Sequence, residues 1–296
     1  MARSIWIDLL GAEVRLVEGK QYRTRILEAG RGQAETLVMV HGGGGHVETF
    51  ARNVVPLGAH FHTVAMEMLW HGFSSAPPIA VPPAGDRNAQ VGEQILDLLD
   101  DLGQERAWLL GEAAGTSVVT WLALHHPDRL RGAIFESTGS GSRVQAPGGL
   151  SMGQFTLQLL AQPTWEMVRD RLLMVMHPDH PEHVTDELVD VRLALYSRPE
   201  TNEALRRYYE HSATHGYASS MSDDERARLD NQLRRLPVLV IANDIPSAGG
   251  QPPGPAIPGA EYTTLKGTGI WAHWEAPDEF NAIVRRFIER ATPPTG

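Results

Sequence analysis

The stretch LLGEAAGTSVV, residues 109–119, constrains the fold more than any other segment. An apolar run meets Gly111-Glu112-Ala113-Ala114-Gly115 and leads straight into helical periodicity. Glycines flanking a three-residue crest give the frame of G-x-S-x-G, the nucleophile elbow, a strained strand-to-helix turn. Such a turn needs a buried strand ahead of it and a helix behind it. The crest residue here is Ala113, whose methyl group attacks nothing.

The surrounding pattern supplies both elements. Residues 13–19 and 22–30 read as paired strands, and 36–45 as a buried strand running into glycines. Further strands are expected at 61–70, 106–112 and 130–138, with helices at 91–103 and 113–127. This alternation predicts an α/β fold, a mostly parallel sheet with helices on both faces. After 138 the pattern breaks. A linker-like run at 139–149 precedes helical stretches at 151–161, 164–176 and 185–211, the last broken near Pro199. Strand character returns at 237–243 and 260–267, and 277–290 reads as an amphipathic helix. A helical block inserted into an α/β pattern reads as a lid. The expected division is a core part at 1–138, a helical lid at 139–215 and a second core part at 216–296. The Pro- and Gly-rich run 244–259 is expected to be an irregular loop.

Composition narrows the partners. The 296 residues carry a formal net charge of −10, and Lys20 and Lys266 are the only lysines. Nucleic acid, whose phosphates need clustered cations, is an unsuitable partner. No cysteine is present, so disulfides and thiolate-bound metal are excluded. No signal-peptide pattern is read, nor the roughly 20 apolar residues that span a bilayer. The expectation is a cytoplasmic protein with no membrane partner and no cofactor.

Several stretches together resemble the meta-cleavage-product hydrolases, carbon–carbon bond hydrolases of the α/β-hydrolase superfamily. They are SIWIDLLGAEVRLVEG (4–19), HGGGGHVETFARNVVPL (41–57), HGFSS (71–75), the elbow frame, ELVDVRLALYSRPE (187–200) and GIWAHWEAPDEFN (269–281). The resemblance implies the α/β-hydrolase fold with an inserted lid, a small carbonyl- or carboxylate-bearing substrate, and a homodimer. It also implies an oxyanion hole, one donor from the loop holding Gly43 and Gly44 and the other from the Ala114 N–H. Arg192 matches the lid arginine facing the substrate's acid end, and Trp271 matches a substrate-contacting tryptophan. The serine, histidine and aspartate that work in the family do not carry over. Ala113 holds the serine position and Ile270 the histidine position. The acid position falls on Ile245, or on Asp244 with a one-residue shift. Glu67 and Trp70 stand where Asp and Gly are usual.

Other residues could move protons. His273 follows Ile270 by three positions, a neighbour on one helix face, and His46 follows the glycine loop. Glu112 adjoins Ala113 and would hold its proton if desolvated there. Thr116 and Ser117 sit too far into the helix to act as nucleophiles. The histidines at 177, 180 and 183 lie in HPDHPEH, which reads as an exposed lid loop and not as a metal site. Three readings stay open. The first is a non-hydrolytic lyase, isomerase, decarboxylase or cyclase that stabilises an enolate in the oxyanion hole. The second is a hydrolase that activates water directly through His273, His46 or Glu112. The third is a ligand-binding protein that turns nothing over.

Overall fold

Eight strands form a single sheet in the order β1-β2-β4-β3-β5-β6-β7-β8. In this computed structural model, residues 4–81, 86–137, 147–216, 221–245 and 257–292 are described. The strands are β1 (Glu13–Glu18), β2 (Arg23–Ala29), β3 (Thr36–Val40), β4 (His62–Met66), β5 (Ala107–Glu112), β6 (Leu130–Glu136), β7 (Val238–Asn243) and β8 (Glu261–Leu265). The pairs β1–β2 and β2–β4 are antiparallel. All other neighbours run parallel. This is the expected mostly parallel α/β sheet.

Continuous burial of β3 and β5 explains why they read as unbroken apolar runs, since helices cover both faces. Side chains still alternate along each strand. Val38, Val40 and Leu109 pack into the core on one face, and Leu37, Met39 and Leu110 into that on the other.

The first helices are α1 (Ile5–Asp8), α2 (Ala51–Gly58), α3 (Arg87–Asp101) and α4 (Ala114–His125). Between β6 and β7 lie α5 (Met152–Ala161), α6 (Trp165–Leu173), α7 (Asp186–Tyr196), α8 (Pro199–His215) and α9 (Asp223–Leu233). After β8 come α10 (Ala272–Glu275) and α11 (Pro277–Ala291). The expected break near Pro199 is real, with Pro199 opening α8 at a position where its missing N–H is harmless. Side chains of Ser151, Thr164 and Thr185 cap the N-termini of α5, α6 and α7. Helices α2 and α9 fall outside the sequence expectation. The expected linker 139–149 and loop 244–259 lie largely outside the described residues. No helix among the described residues is long and apolar enough to cross a membrane.

Several hydrogen bonds fasten the helical insert to the sheet's loops. Tyr196 Oη donates to the Gly44 carbonyl (2.8 Å), Thr201 Oγ1 to the Gly72 carbonyl (2.7 Å), and the Ile270 N–H to the Val175 carbonyl (2.7 Å).

Candidate active site

The elbow forms at the end of β5. Ala113 sits at φ 46°, ψ −110°, and α4 begins at the next residue. A non-glycine residue held there stores about 1–3 kcal/mol of strain. The flanking glycines are required by close approach. A Cβ on Gly111 would lie 2.6 Å from the Gly115 carbonyl carbon, and one on Gly115 would strike the Val40 carbonyl oxygen. Trp70 and Ser137 are the other described non-glycine residues at positive φ.

The glycine loop after β3 lies against this turn. His41 Nδ1 donates to the Gly42 carbonyl (2.7 Å), and its Nε2 accepts from the Met68 N–H (3.1 Å). The Gly42 N–H is held by the Glu112 carboxyl. The Gly44 N–H donates to His71 Nε2 at 3.0 Å. Burial pushes the His71 imidazole down to about 4, so it stays a neutral acceptor. Among the described residues, nothing accepts from the N–H of Gly43 or of Ala114. Both residues line a cavity of about 630 Å³. Gly44 does not line it, so of the two loop glycines named as substrate-binding Gly43 is the one left to act as donor beside Ala114. Gly44 instead serves the insert, because its N–H and carbonyl are both committed to protein partners.

Glu112 lines the same cavity. Its carboxyl is pushed up to about 7, first by burial, which the charge of His273 opposes and that of Glu136 reinforces. Glu112 and Glu136 are register partners at the ends of β5 and β6, so their side chains leave the sheet side by side. Glu136 accepts from His273 Nδ1 through both oxygens at 2.9 Å, and from the His273 backbone N–H at 3.0 Å. Burial works against a charged His273, but the charge and hydrogen bond of Glu136 outweigh it, and the imidazole's pKa is raised. His273 is wholly buried, and its Nε2 has no partner among the described residues. It is not among the cavity-lining residues, and its charge acts on Glu112, which is.

The acid partner of this histidine is therefore at the end of β6. Asp244, after β7, accepts from the Gly267 N–H (3.0 Å) at the surface. Glu136 escaped the sequence reading, although a charge terminating the apolar run LRGAIFE is a usable signal. His46 also departs from expectation. It is fully buried, with Nδ1 on Glu48 at 3.0 Å, and does not line the cavity.

Other walls include Ile270 and Trp271 from the loop after β8, with Arg171, Arg192 and Tyr209 from the insert. Arg192 is 1% exposed, and its Nε and Nη2 have no partner among the described residues. Its guanidinium lies 5.0 Å from the Trp271 ring centroid, and burial lowers its pKa. The Tyr209 hydroxyl is likewise buried without a partner. Away from the cavity, His180, Glu182 and His183 bring ligand atoms within 4.8 Å of one another on the loop that the sequence reading set aside.

The sheet order, the elbow and the glycine loop agree with a sequence match to the α/β hydrolase fold family over residues 35–277. The chain belongs to that family. Within it, the relationship is to carbon–carbon bond hydrolases. The chain is 26% identical over 277 residues to a 2-hydroxy-6-oxo-6-phenylhexa-2,4-dienoate hydrolase of Comamonas testosteroni, covering 89% of this chain and 90% of the relative. It is 29% identical over 287 residues to a 2-hydroxy-6-oxononadienedioate/2-hydroxy-6-oxononatrienedioate hydrolase of Paraburkholderia xenovorans, covering 93% and 94%. A solved meta-cleavage product hydrolase from Pseudomonas fluorescens superposes with a TM-score of 0.73 at 19% identity, covering 96% of this chain and all of the other.

Proposed function

We propose that this α/β-hydrolase-fold chain is an enzyme that stabilises an enolate of a small keto-acid without a serine nucleophile. One observation carries the reading. Two unpartnered backbone N–H groups, of Gly43 and Ala114, belong to a cavity whose elbow crest is a methyl group and whose wall holds a carboxyl with a pKa of about 7. Donors fixed where negative charge develops act without covalent attack. A carboxyl titrating near neutrality suits proton transfer at physiological pH.

In the simplest cycle, ionised Glu112 removes a proton from carbon beside the substrate carbonyl. The C–H electron pair becomes the enolate, whose oxygen accepts from Gly43 and Ala114. Glu112 then returns its proton to a different carbon, giving an isomer with all atoms balanced. Arg192 meets the substrate carboxylate through its two unpartnered nitrogens, the geometry a guanidinium offers best. Burial of the reacting atoms under the insert, acting as a lid, strengthens each of these interactions.

A second reading is favoured by the relatives, which are named as hydrolases. Here Glu112 takes a proton from water, the hydroxide attacks the carbonyl, and the same N–H pair holds the tetrahedral oxyanion. The test is incubation with a panel of dienol and β-keto acids in oxygen-18 water, following products by absorbance and mass. An unlabelled isomer, cyclised product or decarboxylated product supports the enolate reading. Label in a cleaved fragment establishes direct hydrolysis. Thermal stabilisation by a panel member without turnover leaves a binding protein.

A further inference from the structure

Outside the cavity, the loop joining α6 to α7 reads HPDHPEH over residues 177–183, with a histidine at every third position and a proline after each of the first two. Two successive backbone bonds turn this spacing into a stack. The His180 N–H donates to the His177 carbonyl (3.0 Å) and the His183 N–H to the His180 carbonyl (3.2 Å). Pro181–His183 form a 3₁₀ turn, a geometry in which side chains three apart eclipse one another. The His180 and His183 rings accordingly stand 5.8 Å apart, edge to face. The Glu182 carboxylate meets His180 Nδ1 at 3.1 Å. Each of His180, Glu182 and His183 brings a ligand atom within 4.8 Å of the other two.

We infer that His180, Glu182 and His183 bind a divalent transition-metal ion of the zinc type, at the point where the insert is anchored to the core.

The donor set decides the class of ion. Two imidazoles and one carboxylate suit zinc and its neighbours, whereas magnesium and calcium want oxygen alone. Donors around a tetrahedral zinc lie about 3.3 Å apart, so the three groups close in by small side-chain rotations. The His180 and Glu182 side chains are 42% and 65% exposed, with room to make them. Their backbone is already held. Pro181 opens the turn with its φ fixed, which lowers the cost of ordering it. The Trp274 Nε1–H donates to the His183 carbonyl (2.9 Å). The Glu275 carboxyl accepts from the His177 N–H (2.8 Å) and the Gly269 N–H (2.6 Å). These bonds tie the loop to α10 and to the segment that carries Ile270 and Trp271 into the cavity. None of the three ligands lines that cavity, so the site goes beyond the proposed function and does not depend on it.

The test is calorimetric titration of Zn²⁺ into the full chain carrying no purification tag, with thermal unfolding alongside. One ion per chain should bind saturably, and the unfolding midpoint should rise with zinc, because an ion held only by the native fold stabilises it by mass action. His180→Ala and His183→Ala should each weaken binding by more than about tenfold, since even the groups that merely orient a ligand are worth about 10–100-fold. Glu182→Gln, which keeps the shape and removes the charge, should lose about tenfold. His211 and His215 stack at 4.4 Å on α8 and form a rival pair of imidazoles, so His215→Ala is the control and should keep the parent's affinity. His180→Ala and Glu182→Gln decide the matter even if His183→Ala fails to fold, because they alter exposed side chains. Absence of saturable binding overturns the site, as does equal competition by Mg²⁺. Undiminished affinity in His180→Ala, or a loss confined to His215→Ala, overturns it as well.

Discussion

Two ionic clusters flank the glycine loop, one centred on an arginine and the other on a histidine. On one side, Arg25 bridges Glu48 (2.5 Å) and Glu67 (3.0 Å), and Glu48 also holds His46. On the other, Glu112, Glu136 and His273 gather beneath the elbow. An arginine does not give up its proton, so the first cluster has a fixed charge at its centre. There the Glu48 carboxyl is held well below its ordinary range, because His46 and Arg25 outweigh the effect of burial. The second cluster has only an imidazole for a cation. The arginine does not keep every carboxyl near it ionised, since burial pushes Glu67 up to about 7 as it does Glu112, and what separates the two clusters is that Glu112 lines the cavity and Glu67 does not.

Substitutions on each side put that contrast at risk. Arg25→Met strands the buried Glu67 and the half-buried Glu48 and is expected to lower stability by about 3 kcal/mol in chemical denaturation. A variant as stable as the parent would show that the first cluster is not scaffold. Glu112→Gln should fold, yet lose turnover of whichever acid the isotope panel identifies by about 10²–10⁴-fold. Retention of full rate would remove Glu112 from the chemistry.

The same substitution also sharpens the contrast through pH. The Glu112 carboxyl is raised from 4.5 to about 7 in the fold. The native state therefore holds this proton more tightly than the unfolded chain does. Its contribution to stability is complete below about pH 4.5 and is lost as pH rises through about 7. Glu112→Gln should accordingly gain stability relative to the parent between about pH 5 and pH 8, as read by denaturation at both values. A difference that is flat with pH would mean that the carboxyl ionises normally. Smallest of all is Ala113→Ser. A hydroxyl introduced at the crest finds no imidazole among the cavity-lining residues, so esterase activity on a nitrophenyl ester should stay at the parent's level. Appreciable hydrolysis would place His273 closer to the crest than its buried pairing with Glu136 allows.

How much of this was legible beforehand depended on whether the determinant was local. The strands were, because burial on both faces writes itself as apolar runs such as TLVMV and AWLLGE. Helix α9 was not, since DDERARLDNQL buries only Leu229 and Leu233 and shows little periodicity. Its capping box, Ser222 with Glu225, was nonetheless present in the sequence. Helix α2 carries Pro56 inside it, which reads as a breaker. In the site, the elbow frame was visible from motif spacing and Arg192 from the family resemblance. Arg171 and Tyr209 were not, because they meet the cavity from elements far apart in the chain, and neither was Glu136, whose partner His273 lies 137 residues away. Which of Gly43 and Gly44 serves as donor was also open, because a run of four glycines does not say which N–H is already taken.

The bond from Tyr196 to the Gly44 carbonyl ties the gate to the electrostatics. On the proposed reading, a movement of the insert that broke this bond would free the residue next to Gly43 and would loosen that donor as it opened the cavity. An alteration on α7, remote from any reacting atom, would then register as slower chemistry at saturating substrate rather than as weaker uptake.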